Sequence, residues 1–247
     1  IVQNTYDVDA IIDAHSHSEV LGETYENTKG QEVQIWQTGT QLSNIGLLVL
    51  TKDHTIEGML INDYENKDAE VESIISSIND ELNEELKTVI GTSSYDLTIE
   101  ETFNDKSFRV VRSRETNLGN LCADAYRYIY NSDIGIINGG GVRSNLSAGD
   151  ITLNDVLAVN PFQNKTSMIK ASGQTILDML EYSVYLTLPY TNDGENPTGE
   201  FGGFLQVSGL KFTVDTSIES PAIIKDEMFV EIDGPRRVKD VFVEKDG

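Results

Sequence analysis

Two histidines, His15 and His17, follow a short apolar run over residues 8–12 that reads as a buried strand entering a loop. Imidazoles at i and i+2 of an extended segment point to one side, an arrangement suited to a metal ion. Two solvated loop histidines are the plainer alternative. The third histidine of the chain, His54, sits in a polar hairpin and reads as solvated. A second apolar strand, 134–137, runs into Asn138-Gly139-Gly140-Gly141-Val142-Arg143. Glycines let backbone amides approach an anion and form a concave nest. Arg143 would add a forked cation; a flexible turn is the alternative. Arg109, Arg112 and Arg114 cluster in a chain with only 18 lysines and arginines, so they form an anion site or, with the adjacent Glu115, an ion-pair hub. Phe162 lies in the turn Asn160-Pro161-Phe162-Gln163-Asn164, off any periodic apolar face. It is placed to stack on a base or to anchor the core.

The elements that must position these groups follow from hydrophobic periodicity. Strands are expected at 8–12, 33–36, 45–50 and 56–61, with a turn at 37–40 and a hairpin at 52–54 joining the last two strands. Val71, Ile74, Ile75, Ile78, Leu82, Leu86 and Val89 recur at spacings of three and four, which predicts a helix over 68–89. Gly91 is its expected stop and a candidate hinge between domains. Further helices are expected at 116–130, at 152–157 with Thr152 as cap, and at 175–188. Residues 195–203 read as a loop, and 205–214 and 227–232 as strands. Helices and strands alternate irregularly, so the fold class is α/β to α+β rather than a doubly wound sheet.

The formal charge of −23 over 247 residues and the pI of about 4.3 repel nucleic-acid phosphates and anionic membranes. A nucleic-acid polymer is therefore not an expected partner, and no apolar run is long enough to insert into a membrane. The one cysteine, Cys122, allows no internal disulfide.

Taken in chain order, these segments resemble the 5'-nucleotidase family, which includes ecto-5'-nucleotidase and bacterial periplasmic UDP-sugar hydrolases. "VDAIIDAHSH" resembles the end of its metallophosphoesterase domain, with Ala14 where the family has a glycine. "QTGTQLSNIGLLVL" is similar to the closing strands of that domain. "RSRETNLGNLCADAYR", "IINGGGVRSNLSAGDITLNDVLAVNPFQN" and "FLQVSGLKF" resemble landmarks of its C-terminal domain. The resemblance implies terminal strands of a metallophosphoesterase sandwich at 1–64, a linker helix at 65–90, and a truncated substrate-binding domain at 91–247. It implies that His15 and His17 are ligands of a two-metal site for zinc, manganese or similar ions. It implies that Arg112, Asn138, Gly140 and Arg143 hold the phosphate or ribose of a nucleotide, that Phe162 stacks on its base, and that Asn117 shapes the start of its helix.

The remaining metal ligands and a catalytic Asp-His pair are expected upstream of Ile1. A second stacking aromatic and an aspartate are expected beyond Gly247. The chain alone is thus expected to lack phosphatase activity. The intact protein would hydrolyse nucleoside 5'-monophosphates at two metal ions in a bacterial extracytoplasmic location: periplasm, cell wall or medium. Alternatives are a 2',3'-cyclic nucleotide phosphodiesterase, a nucleotide-sugar hydrolase, a thiosulfohydrolase, or a non-catalytic nucleotide-binding surface module.

Overall fold

The structure is a computed structural model and describes residues 1–53, 55–103, 106–189, 199–225 and 228–244. His54, part of the expected loop at 195–203 and the first residue of the expected strand at 227–232 lie outside the described residues. Two compact units are present, Ile1–Ser77 and Ile78–Gly247.

The first unit holds β1 (Ala10–Ile12), β2 (Glu19–Glu26), β3 (Glu32–Thr38), β4 (Ile45–Leu50) and β5 (Ile56–Ile61). β3 is central in a mixed sheet, parallel to β1 and antiparallel to β2, and β4 pairs with β5 as a hairpin. Val33 and Trp36 of β3 are buried. Gln37, also buried, accepts hydrogen bonds from the Ser16 hydroxyl at 2.7 Å and the Ser18 amide at 3.1 Å. Those bonds fold the segment after β1 into a turn, in which the His17 amide donates to the Ala14 carbonyl and His17 has φ of 61°. The expected loop after β1 is therefore a turn, without the extended geometry that would set both imidazoles on one side, because a buried amide from the neighbouring strand gathers its polar groups.

Helix α1 (Ala69–Leu86) runs across the division between the units, with the Asp68 carboxylate accepting from the Glu70 and Val71 amides at its start. Its apolar stripe has the expected spacing yet stays about half exposed, as at Ile74 (54%) and Ile78 (51%). The helix ends three residues earlier than its periodicity predicts. Val89 opens β6 (Val89–Ser93), and Gly91 sits inside that strand opposite Ile151 rather than stopping a helix. Backbone pairing with β10 (Gly149–Thr152) outcompetes one further apolar position on the helix.

The second unit continues with the hairpin β7 (Glu101–Phe103) and β8 (Lys106–Phe108), then α2 (Asn117–Tyr130), β9 (Gly135–Asn138), β10, α3 (Leu153–Val159) and α4 (Gly173–Ser183). It closes with β11 (Leu205–Ser208), β12 (Leu210–Val214), β13 (Ala222–Lys225), β14 (Met228–Ile232) and β15 (Val238–Val243). Among the described residues its sheets are antiparallel pairs: β6 with β10, β7 with β8, β9 with β11, β12 with β15, β13 with β14. This is the mixed architecture expected from the irregular alternation of elements.

Thr116 caps α2 by accepting from the Gly119 amide, and Asn131 ends it in the left-handed conformation. Thr152 and Asp155 form a reciprocal capping box at the start of α3. Two apolar clusters fill the unit. One joins Leu97, Ile99, Val111, Leu118, Cys122, Ala123, Ile137 and Val142 between α2 and β9. The other joins Leu180, Val184, Phe204, Leu210 and Val238. Each fully buried leucine or valine there stabilises the fold by about 1.5–3 kcal/mol relative to its exposed state.

Two further expectations are corrected. The strand at 205–214 is two strands, broken at Gly209, whose φ of 69° belongs to the left-handed region. The helix at 175–188 ends at Ser183, because the carbonyls of Val184, Tyr185 and Thr187 accept from the buried guanidinium of Arg237. That side chain satisfies acceptors which another helical turn would otherwise have paired.

Candidate functional site

Strand β9 delivers Asn138 and the glycine turn 139–141 to one end of the second unit, as its sequence suggests. The turn is held by residues 199–204, which lie along it as a strap. The Gly139 amide donates to the Phe204 carbonyl at 2.6 Å and the Gly140 amide to the Gly202 carbonyl at 2.9 Å. The Asn138 side-chain amide donates to the same Gly202 carbonyl at 3.0 Å. Two of the nest amides are thus spent on the strap, so glycine is needed here chiefly for close approach. A Cβ on Gly139 would stand 2.0 Å from the Val111 carbonyl, and one on Gly140 would stand 2.8 Å from the Gly202 carbonyl.

That close packing brings the 3-10 turn Val110–Arg112 alongside the glycine turn and gathers three arginines. The Arg109 Nη2 lies 2.8 Å from Glu200 Oε2, and the Arg112 Nη1 lies 3.6 Å from the same oxygen. Arg143 donates from Nη1 to the Gly140 carbonyl at 3.4 Å, and its amide bonds the Val159 carbonyl at the end of α3. The backbone of α3 and the loop after it therefore set both Arg143 and Phe162. The Phe162 ring, 55% exposed, sits 5.5 Å from the Arg143 guanidinium carbon. This is a cation–π distance.

The electrostatics agree with the geometry. Burial, then the nearby charge of Arg109, then that of Arg143 push the Arg112 guanidinium below the usual arginine range, while Glu200 pulls it back. Burial and Arg109 likewise lower Arg143. The Nε atoms of Arg109 and Arg112 are buried without a hydrogen-bond partner. Buried donors in native proteins are nearly always paired. Three guanidinium groups gathered beside one carboxylate, inside a strongly acidic chain, have the chemistry of an anion site.

Arg112, Asn138, Gly140, Arg143 and Phe162 are thus linked around one turn, through the strap or through one another. Arg109 joins them. Arg114 is separate and pairs with Glu101 at 2.9 Å. Glu115 accepts from the Asn120 side chain at 2.6 Å. Asn117 bonds the Thr98 amide and the Asp96 carbonyl, tying the start of α2 to the loop after β6.

Two residues of the site escape sequence reasoning. Glu200 falls in a stretch that reads only as loop. Gln206, 1% exposed on β11, donates to the carbonyls of Val111 (2.9 Å) and Arg114 (2.7 Å) and accepts from the Thr116 amide (3.0 Å). It clamps the backbone on both sides of Arg112. A glutamine at an inward strand position, where an apolar residue is the rule, is the one available signal for it.

In the first unit His15 and His17 are exposed, with His17 Nδ1 3.3 Å from the Thr40 hydroxyl. Among the described residues, no group of three or more His, Cys, Asp or Glu side chains is arranged to hold a metal ion. Two exposed imidazoles do not by themselves fit a two-metal centre, which needs bridging and terminal ligands on both ions.

Residues 89–247 match the family model described as 5'-nucleotidase, C-terminal domain. The chain belongs to the 5'-nucleotidase family. The match encloses every residue of the arginine cluster, the glycine turn and the strap. A 5'-nucleotidase of Vibrio parahaemolyticus is 38% identical over 106 residues, which is 43% of this chain and 17% of that protein. A cell wall protein of Listeria monocytogenes, Lmo0130, is 27% identical over 156 residues, 59% of this chain and 18% of that one. The crystal structure of a 5'-nucleotidase precursor from Thermus thermophilus superposes with a TM-score of 0.68 at 25% identity, covering 94% of this chain and 48% of that chain. The chain therefore spans less than a fifth of these two curated relatives and about half of that solved 5'-nucleotidase. Among the described residues no helix is long and apolar enough to cross a membrane.

Proposed function

We propose that the second unit binds a nucleoside 5'-monophosphate. Arg109, Arg112 and Arg143 hold its phosphate or ribose side, and Phe162 stacks on its base. The observation that carries this reading is the convergence of three arginines, from two separate segments of the chain, on one glycine turn with an exposed aromatic ring at its edge. Asn138 and Gly140 serve by fixing the turn to the strap, and Gly140 further by accepting from Arg143.

Residues 91–247 are, on this reading, a substrate-binding domain, residues 65–90 a connecting segment built on α1 (Ala69–Leu86), and residues 1–64 the end of a metallophosphoesterase domain. Hydrolysis of the phosphate ester is assigned to a longer protein. There His15 and His17 would supply part of the donor set for two divalent ions, and residues outside this chain the rest. An extracytoplasmic bacterial location is supported by the cell wall protein among the relatives.

Calorimetric titration of the whole chain tests the binding reading. AMP, adenosine and inorganic phosphate are each titrated into wild type, Arg143→Ala and Phe162→Ala. Arg143→Ala should weaken AMP and phosphate by about tenfold or more, from the loss of a charge-assisted contact. Phe162→Ala should weaken AMP and adenosine by about tenfold and leave phosphate unchanged, since stacking acts on the base alone. AMP affinity indifferent to both substitutions would falsify the reading.

A further inference from the structure

The arginine cluster contains an anion of its own. Glu200 sits on the strap, its carboxylate 2.8 Å from Arg109 and 3.6 Å from Arg112. The strap holds it there independently of charge. The Phe201 amide donates to the Arg112 carbonyl at 3.0 Å, and the Gly202 and Phe204 carbonyls accept from the glycine turn. Glu200 is thus followed by three residues of the strap whose backbone bonds the turn of Arg112 and the glycine turn before Arg143. Its side chain keeps 37% of its surface exposed. A carboxylate needed only to neutralise buried guanidinium groups would be expected to be buried with them. This one is more exposed than the Arg109 and Arg112 side chains it meets, which keep 26% and 19%.

Among the described residues, three guanidinium groups meet one carboxylate, a net of two positive charges. The phosphate of a nucleoside monophosphate carries close to two negative charges above its second pKa of about 6. We propose that Glu200 is a specificity-determining residue: as a resident counter-anion on Arg109 and Arg112, it matches the site's charge to one terminal phosphate and disfavours a second or third. This rests on the monophosphate reading above and deepens it. A di- or triphosphate brings further negative charge to a cluster whose remaining cationic capacity is already shared with Glu200. It must displace the carboxylate or lie beside it. Substitution by an uncharged residue removes that competition and should benefit polyphosphates more than monophosphates.

The test is calorimetric titration of the whole chain with AMP, ADP and ATP in a chelating buffer, so that binding is read without bound metal. Glu200→Gln and Glu200→Ala are compared with wild type. Glu219→Gln, at an exposed site outside the cluster, controls for the change in net charge. The expected result is that both Glu200 variants tighten ATP relative to AMP by about tenfold, with ADP between them, the scale set by one unit charge a few ångströms away and largely screened by solvent. Glu219→Gln should leave the ratio unchanged.

If the Glu200 variants shift all three nucleotides equally, or not at all, the inference is overturned while AMP binding leaves the nucleotide site standing. If wild type binds none of the three, the nucleotide reading fails and the inference falls with it. Circular dichroism accompanies each titration. Loss of folded signal in both Glu200 variants would mean that the carboxylate is structural and would likewise overturn the proposal.

Discussion

Replacing Gln206 by leucine removes a side chain that makes three hydrogen bonds to backbone, two as donor and one as acceptor. Its amide orientation is fixed by its partners, because only Oε1 can accept from the Thr116 amide and only Nε2 can donate to two carbonyls. Leucine is close in size, so little cavity term is expected. The Val111 carbonyl and the Thr116 amide belong to buried residues and have little access to water. A buried backbone group left without a partner costs about 1–3 kcal/mol. With partial relaxation at the less buried Arg114 carbonyl, the sum comes to about 3–5 kcal/mol, or roughly 10 °C in Tm for a unit of this size.

Urea unfolding followed by far-UV circular dichroism measures the loss. An acidic variant sharpens the test: Gln206→Glu keeps the acceptor for Thr116 but aims a carboxylate oxygen at two carbonyls. At neutral pH it should cost more than leucine. Burial and those carbonyls favour the protonated acid, so its folded pKa lies above its unfolded one. Its stability deficit then shrinks as pH falls, when the carboxyl can donate one bond. AMP affinity should drop in both variants even where the protein stays folded, since the clamp sets the backbone on either side of Arg112. A loss below about 1 kcal/mol in Gln206→Leu, together with a pH-independent deficit in Gln206→Glu, would refute the clamp.

Two other predictions follow from packing and burial. Gly139→Ala must push the glycine turn off the Val111 carbonyl, 2.0 Å from the added carbon, and should cost about 2–4 kcal/mol by urea unfolding and at least tenfold in AMP affinity. Burial raises the Cys122 thiol from 9.0 to about 11, so the folded chain keeps that proton to higher pH than the unfolded chain. The resulting stabilisation is complete below pH 9 and disappears as pH rises to about 11, on the order of 2–3 kcal/mol. Stability measured across that range should fall less steeply in Cys122→Ala, and an identical slope would remove the assignment.

Most of the helical and strand skeleton is legible in the sequence where local signals agree. α2 combines a threonine cap, an apolar stripe from Leu118 to Cys122 and a terminal asparagine. β9 is a short apolar run stopped by glycines. Misreadings occur where a distant partner decides. Val89 continues the stripe of α1, yet β10 claims it for a strand. Val184 to Thr187 continue α4 in pattern, yet Arg237, some fifty residues on, takes their carbonyls. Residues 19–26 carry too few regular apolar positions to announce β2, which exists because β3 offers it an edge.

The candidate site divides the same way. Arginines, glycines and an off-pattern phenylalanine stand out by residue type. Glu200 and Gln206 do not, because their roles depend on groups roughly ninety residues away.

Arg237 also has a bearing on how this unit can vary. It fixes the chain at 184–187, while the bonds from 199–204 to Arg112, Asn138 and the glycine turn fix it again on the near side of β11. Both ends of the intervening stretch are thus anchored separately. Changes that loosen the end of α4 need not unseat the strap, so the arginines can outlast variation at the first anchor.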